Sequence, residues 1–187
     1  MRDHQNGFED LAVDIDPPIF MRRILREMSG TLETIIGLDD AEGFLSCVGT
    51  SVGSWVEEEY RKAIPQRQLD VNEVARLLVD LKGRIGADFR IISVTADEIV
   101  LGNRRCPFGD SVVGRPALCS MTSHVVGRVV AEHLGYARVD LTETLARGDG
   151  RCRVVIALRP EEISATEDPD TPSREFWPLA PSRMAAE

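Results

Sequence analysis

Residues 101–158, LGNRRCPFGDSVVGRPALCSMTSHVVGRVVAEHLGYARVDLTETLARGDGRCRVVIAL, decide the reading of the chain. They run in order as strand end, Cys106-Pro107 loop, helix, strand, Gly148-Asp149-Gly150 turn and strand. Pro116 suits a helical first turn, because its ring presets φ and its missing N–H is not needed there. Leu118, Met121, Val125, Val126, Val129 and Val130 then recur at three- and four-residue steps, and Gly135 is a good stop. Beyond it, residues 136–141 and 152–158 read as paired strands joined through the Gly-Asp-Gly stretch. The block holds three of the four cysteines and two of the three histidines. A helix packed on this hairpin would bring Cys106, Cys119 and Cys152 to the loop end of one small sheet.

Upstream, the pattern is helical. Phe20, Ile24, Leu25, Met28, Leu32, Ile35 and Ile36 share one side of a helix over 19–37, started by Pro18 and stopped by Gly37, with Gly30 weakening its middle. That stripe serves either a core contact or a short coiled-coil seam, so the helix is a candidate dimerisation element. A second helix starts at Asp39-Asp40 and carries Phe44, Leu45, Val48, Val52, Trp55 and Val56. Gly43, Gly49 and Gly53 along it allow close approach of another helix or of a ligand. Cys47 in that run reads as a buried small hydrophobe. Pro65 breaks the run before a third helix, capped by Asp70 or Asn72, with Val74, Leu77, Leu78, Leu81 and Ile85 as its stripe. The long connector argues against a helix-turn-helix DNA reader. From Gly86 the period becomes two, and strands over 89–94 and 98–101 flank a Thr95-Ala96-Asp97 turn.

The expected fold is α+β: N-terminal helices packed with a small antiparallel sheet of two hairpins and an intervening helix. Residues 1–18 form a flexible arm, 19–37 the first helix, 38–159 the main domain, and 160–187 a disordered, acidic, proline-rich tail. Phe176 and Trp177 in the tail are either a docking motif or a clip onto the domain.

Composition narrows the function. A chain of 187 residues is long enough to bury a real core as one domain. No apolar run approaches the roughly 20 residues of a bilayer span, and MRDHQNGFED lacks the design of an export signal. Cytoplasmic location without membrane contact is expected. The net charge of −9 argues against direct nucleic-acid contact. In that compartment clustered cysteines point to metal or redox chemistry rather than a disulfide scaffold.

Arg104 and Arg105 beside Cys106 would lower its pKa and favour the thiolate. Thiolates suit zinc or the iron of an iron–sulfur cluster, which usually take four ligands. Cys106, Cys119 and Cys152 supply three, and His124 is the candidate fourth. His133 lies about 21 Å along the helix from Cys119, at roughly 1.5 Å per residue, too far to share a metal. His124 is about 7.5 Å along but off the face of Cys119, and joins it only if Cys119 sits in the helix cap. The blander readings are thiols around a metal-free sensing pocket, and histidines on the helix surface or satisfied in the core. Cys106 with His124 imitates a nucleophile–base pair, but no orienting third group can be named. No phosphate-loop, dinucleotide, HExxH or paired-carboxylate motif occurs, so no catalysis is assigned. The competing reading is a thiol-based redox protein or enzyme using Cys106 as a reactive thiolate.

NRRCPFG (103–109), GRPALCSMTSHVVGRVVAEHLGYA (114–137) and ETLARGDGRCRVVI (143–156) resemble the methanogen output domain family. The block is more distantly similar to 4-vinyl reductase-type sensory domains, which often end in a Gly-Asp-x-x-Cys hairpin. It is also similar to the C-terminal sensor of iron–sulfur-assembly repressors, with their Cys-Pro start and a cysteine thirteen positions on. That last pattern places cysteines at Cys106, Cys119 and Cys152, and its further cysteine is absent between 119 and 152. The resemblance spans residues 38–158 and implies an α+β regulatory module that senses a small ligand, metal or redox state. The expected protein is therefore a non-enzymatic sensory or regulatory domain. Its site is Cys106, Cys119 and Cys152, with His124 added if a metal binds, and its cofactor is unknown, zinc or an iron–sulfur cluster being the candidates. Its expected partners are a second copy of itself, a signalling or transcription-regulator protein, and a small-molecule ligand.

Overall fold

The computed structural model describes residues 11–64, 68–160 and 173–178. Helix α1 runs Pro17–Ile36, with Pro17 and Pro18 in its first turn and the Asp16 carboxylate accepting from the Ile19 N–H at 2.6 Å. Gly37 alone joins it to α2, Leu38–Ala63. Its φ of 84° is a backbone state that residues with a Cβ resist, so the turn depends on glycine. Helix α3, Val71–Arg84, begins at Asp70, which forms a reciprocal capping box with Glu73.

Strands β1 (Arg90–Val94) and β2 (Glu98–Asn103) make the expected first hairpin. A short 3-10 turn at Gly109–Val112 leads into α4, Pro116–Leu134, which Gly135 ends. Strands β3 (Ala137–Glu143) and β4 (Cys152–Ala157) pair across a second 3-10 turn at Leu145–Arg147. The architecture is α+β, but the strand pairs are not separate hairpins. Strand β4 also pairs with β2, and the antiparallel sheet has the order β1-β2-β4-β3-β5.

The fifth strand, β5 (Ser173–Phe176), comes from the tail expected to be disordered. It pairs with β3, so its partner rather than its own pattern makes it a strand. The Phe176 ring covers Gly127 of α4 and meets His124 edge-on, with centroids 5.0 Å apart. Trp177 packs on Tyr136 at 4.8 Å, and its carbonyl accepts from the Arg128 guanidinium at 3.2 Å. Phe176 and Trp177 are thus a clip onto the domain. The rest of the tail expectation, the arm over residues 1–10 and the break at Pro65 lie outside the described residues.

Ile99, Leu101, Val139, Leu141, Val154 and Ile156 point from the sheet to the core, where Val126, Val129 and Val130 of α4 and Leu77, Leu78 and Leu81 of α3 meet them. Helix α2 lies on α4, and the approach is close because it carries glycines there. A Cβ on Gly49 would stand 2.8 Å from the His124 Cβ, and one on Gly53 2.8 Å from the Arg128 Cβ. Cys47, expected in the core, is exposed with Phe44, Val48 and Trp55, roughly 100–180° around the helix from Gly49 and Gly53.

Helix α1 is held largely by polar contacts. The Arg26 guanidinium donates to the carbonyls of Ser111 and Val113, each at 2.7 Å. The Arg115 guanidinium lies over Gly30, where a side chain would collide with it, and is 3.9 Å from Glu33. Gly30 therefore leaves room for a latch. Phe20, Met28 and Ile35 on the same helix stay 56%, 54% and 73% exposed, so only part of the predicted stripe reaches the core.

Replacing Gly53 with Leu should force α2 off α4 and cost about 1–3 kcal/mol in urea unfolding. Gly43→Ala, where a Cβ meets nothing within 4 Å, should leave stability unchanged or raise it by up to about 1 kcal/mol. Equal effects at the two positions would contradict the close-packing account.

Candidate functional site

The helices border a partly open pocket of about 530 Å³. Its walls come from the start of α1, the second half of α2, the last turn of α3, the loop after Cys106 and the middle of α4. Leu25, Val52, Trp55, Phe108, Met121 and Val125 give it an apolar surface. The volume falls within the roughly 300–1,000 Å³ typical of small-molecule pockets. Alpha1 borders it and is held in place by the Arg26 and Arg115 contacts.

Lys82 lines this cavity and is only 2% exposed. Burial of a lysine at this position follows from helix geometry. It stands four residues after Leu78 and seven after Ala75, on the flank of the apolar stripe of α3. Its ammonium lies 5.4 Å from the centre of the Phe89 ring, a cation–π contact. Loss of hydration pushes its pKa down to about 8, while Cys106, Cys119 and Cys152, when ionised, pull the other way.

Cys106 and Cys119 pack against the same small buried cluster, beside Leu145, whose N–H donates to the Cys152 sulfur, and all three cysteines lie within electrostatic reach of Lys82. Cys106 is placed by the loop leaving β2, Cys119 by the first turns of α4, and Cys152 by the start of β4, opposite Asn103. Burial dominates their chemistry. It pushes Cys106 up to about 11, against a backbone hydrogen bond from Phe108 and the Lys82 charge. Burial also pushes Cys119 up to about 12, and Cys106 and Cys152 add to the rise. Cys152 is raised by burial as well, although its sulfur accepts from the Leu145 N–H at 3.4 Å. The expected lowering of Cys106 by Arg104 and Arg105 does not occur. Their side chains are exposed, and their backbone N–H groups are occupied by the Asp88 carboxylate at 3.0 and 2.7 Å. Burial therefore favours the protonated thiol of Cys106 at neutral pH over the thiolate.

His124 is elsewhere. Its Nδ1 is 3.0 Å from the Ser120 carbonyl, its ring meets Phe176, and burial lowers its pKa. Cys119 lies inside α4 rather than in its cap, so the one arrangement that would have joined the two is absent. Among the described residues no three His, Cys, Asp or Glu side chains are grouped to hold a metal ion. A divalent ion among the thiols would also sit against the Lys82 ammonium. His133 is paired with the buried Glu57 at 3.1 Å. Burial alone would raise Glu57, but the adjacent His133 ring and the hydrogen bond from Arg61 outweigh it and hold the carboxylate low.

None of the three cysteines is among the cavity-lining residues; Lys82 is the link between cluster and cavity. Sequence reading passed over both features. Lys82 was legible as a charge inside a helical apolar stripe. The cavity was not, because its walls come from five separate segments.

Lys82→Met should stabilise the fold at pH 7 by on the order of 2–3 kcal/mol, because it removes a buried charge. The sign with pH follows from the depressed pKa. The wild type carries the full penalty below pH 8 and sheds it as pH rises from about 8 towards 10.5, where the unfolded lysine titrates. The advantage of the variant in chemical denaturation should fade over that window. A constant advantage would mean that charge burial is not its cause.

A comparison with curated proteins finds no match. Among solved structures, the chain is similar to the phenol-responsive sensory domain of the transcription activator PoxR, solved with phenol. The TM-score is 0.58 at 15% identity, over 73% of each chain, a likeness of fold. No helix is long and apolar enough to cross a membrane among the described residues. The family model for methanogen output domain 1 matches residues 24–157, from the first turns of α1 to the end of β4. The match starts inside α1, earlier than the motifs alone implied, and over most of its length this chain belongs to the methanogen output domain 1 family.

Proposed function

We propose that this protein is a non-enzymatic sensory domain that binds a small, mostly apolar molecule in the helical cavity and passes its occupancy to a regulatory partner. The observation that carries the reading is the 530 Å³ apolar, partly open pocket that α1 borders. Alpha1 is tied down by a few polar contacts, so a ligand beneath it can shift the helix without breaking the core. The fold shared with a phenol-responsive sensory domain supports the reading, as does membership of an output-domain family. The partner is a signalling or transcription-regulator protein, and the setting is the cytoplasm.

A second reading keeps the cysteine cluster as a sensing site, holding zinc or an iron–sulfur centre. Three part-buried thiols within electrostatic reach of one lysine favour it. The displaced His124 and the Lys82 charge oppose it. The homodimer belongs to the first reading: the exposed Phe20, Met28 and Ile35 of α1 would face a second copy.

Two measurements check these readings. The neutral dye N-phenyl-1-naphthylamine should brighten on binding, and Val52→Trp, which fills the chamber, should weaken it at least about tenfold. Unchanged dye binding in that variant would move the site away from the cavity. Native mass spectrometry of protein purified without oxygen should show a metal-free dimer that Ile35→Glu converts to monomer. Added mass of zinc or of an iron–sulfur cluster, lost in Cys119→Ser, would instead establish the second reading.

A further inference from the structure

Resting on the cavity reading above, we infer that the molecule it takes is an apolar monocarboxylate whose head group pairs with Lys82. The inference starts from an imbalance of charge. A buried ammonium is costly unless an anion or several acceptors replace its water. Met or Leu would continue the stripe of α3 at lower cost, yet the position holds a lysine that is 2% exposed and lines the chamber. Among the described residues, the groups acting on Lys82 are the Phe89 ring and the three cysteines. Those thiols are protonated at neutral pH, so they bring no negative charge.

The other charges on the cavity wall are placed differently. Glu59 pairs with Lys62 at 3.0 Å, with its side chain 51% exposed. Arg84 pairs with Asp80 at 2.6 Å, also with an exposed side chain. Arg22 is less buried than Lys82 and stands at the α1 side. The deep wall therefore carries one uncompensated positive charge surrounded by apolar surface. One ammonium on a flexible stem can meet one carboxylate. A phosphate carries more charge to desolvate and calls for several converging donors, whereas Lys82 is the one buried cation among the described residues lining the pocket. The complementary ligand has an aliphatic or aromatic body and a single carboxylate.

Matched probes test this: octanoate against octanol, and benzoate against benzyl alcohol, each displacing N-phenyl-1-naphthylamine from the intact chain. Each carboxylate should displace the dye at a concentration about tenfold or more below its alcohol, the usual range for a charge-assisted hydrogen bond. Lys82→Met should abolish that preference while leaving alcohol binding equal or tighter, and Arg22→Gln should retain it. Equal or better binding of the alcohols to the wild type would overturn the head-group assignment while the cavity reading stands. So would a preference that survives in Lys82→Met or disappears in Arg22→Gln. Failure of the dye to bind the wild type would remove both.

Discussion

Helix α4 is covered on both sides, and the rest of the molecule depends on how closely its neighbours approach. The sheet packs on one face through Val126, Val129 and Val130, and α2 packs on the other across Gly49 and Gly53. Side chains on those glycines would have to displace α4 atoms, so the contact is set by backbone surfaces. With α2 fixed at this distance, Gly37 turns the chain back at once and α1 has a limited choice of path. It lies where its own Arg26 reaches the Ser111 and Val113 carbonyls and where Arg115 reaches it, and the pocket is the space left beside it.

This arrangement separates two kinds of stability in one domain. The sheet, α3 and α4 share a continuous buried core that includes Leu78, Ile99, Leu101 and Ile156. Alpha1 contributes little to that core and keeps much of its apolar stripe exposed. Elements with few buried apolar contacts open at lower free energy than the core does. A helix of that kind over a ligand-sized space is a physical basis for coupling occupancy to an outer surface. The short β5 clip works in the opposite sense, tying Phe176 and Trp177 to α4 and Tyr136.

Lys82 joins the two halves of the site. It belongs to the cavity by position and to the cysteine cluster by charge. A cluster of buried thiols beside a lone ammonium is chemically quiet: desolvation holds the sulfurs protonated, and the lysine is the group most ready to change its state near neutral pH. The cysteines drew attention in the sequence because their chemistry is distinctive. Their environment, which decides whether that chemistry is expressed, is made by residues far away in the chain.

Much of the fold was legible locally. Pro116 and Gly135 bound α4, Asp70 caps α3, and the alternation around Thr95-Ala96-Asp97 marks the first hairpin, because caps, turns and periodicity are set by neighbouring residues. Membership of the family was likewise carried by contiguous motifs over residues 103–156. The sequence by itself also set Lys82 on the flank of the apolar stripe of α3, four residues after Leu78, although its burial was decided by the elements packed around it. Only the tertiary structure decided that β2 and β4 join two strand pairs into one sheet, and that a tail segment supplies its last strand. It alone set the exposure of Cys47, the protonated state of Cys106 and the separation of His124 from the thiols. The physical reason is the same throughout. Burial, strand pairing and the volume of a cavity are properties of several segments meeting in space, and no one segment encodes the distance to the others.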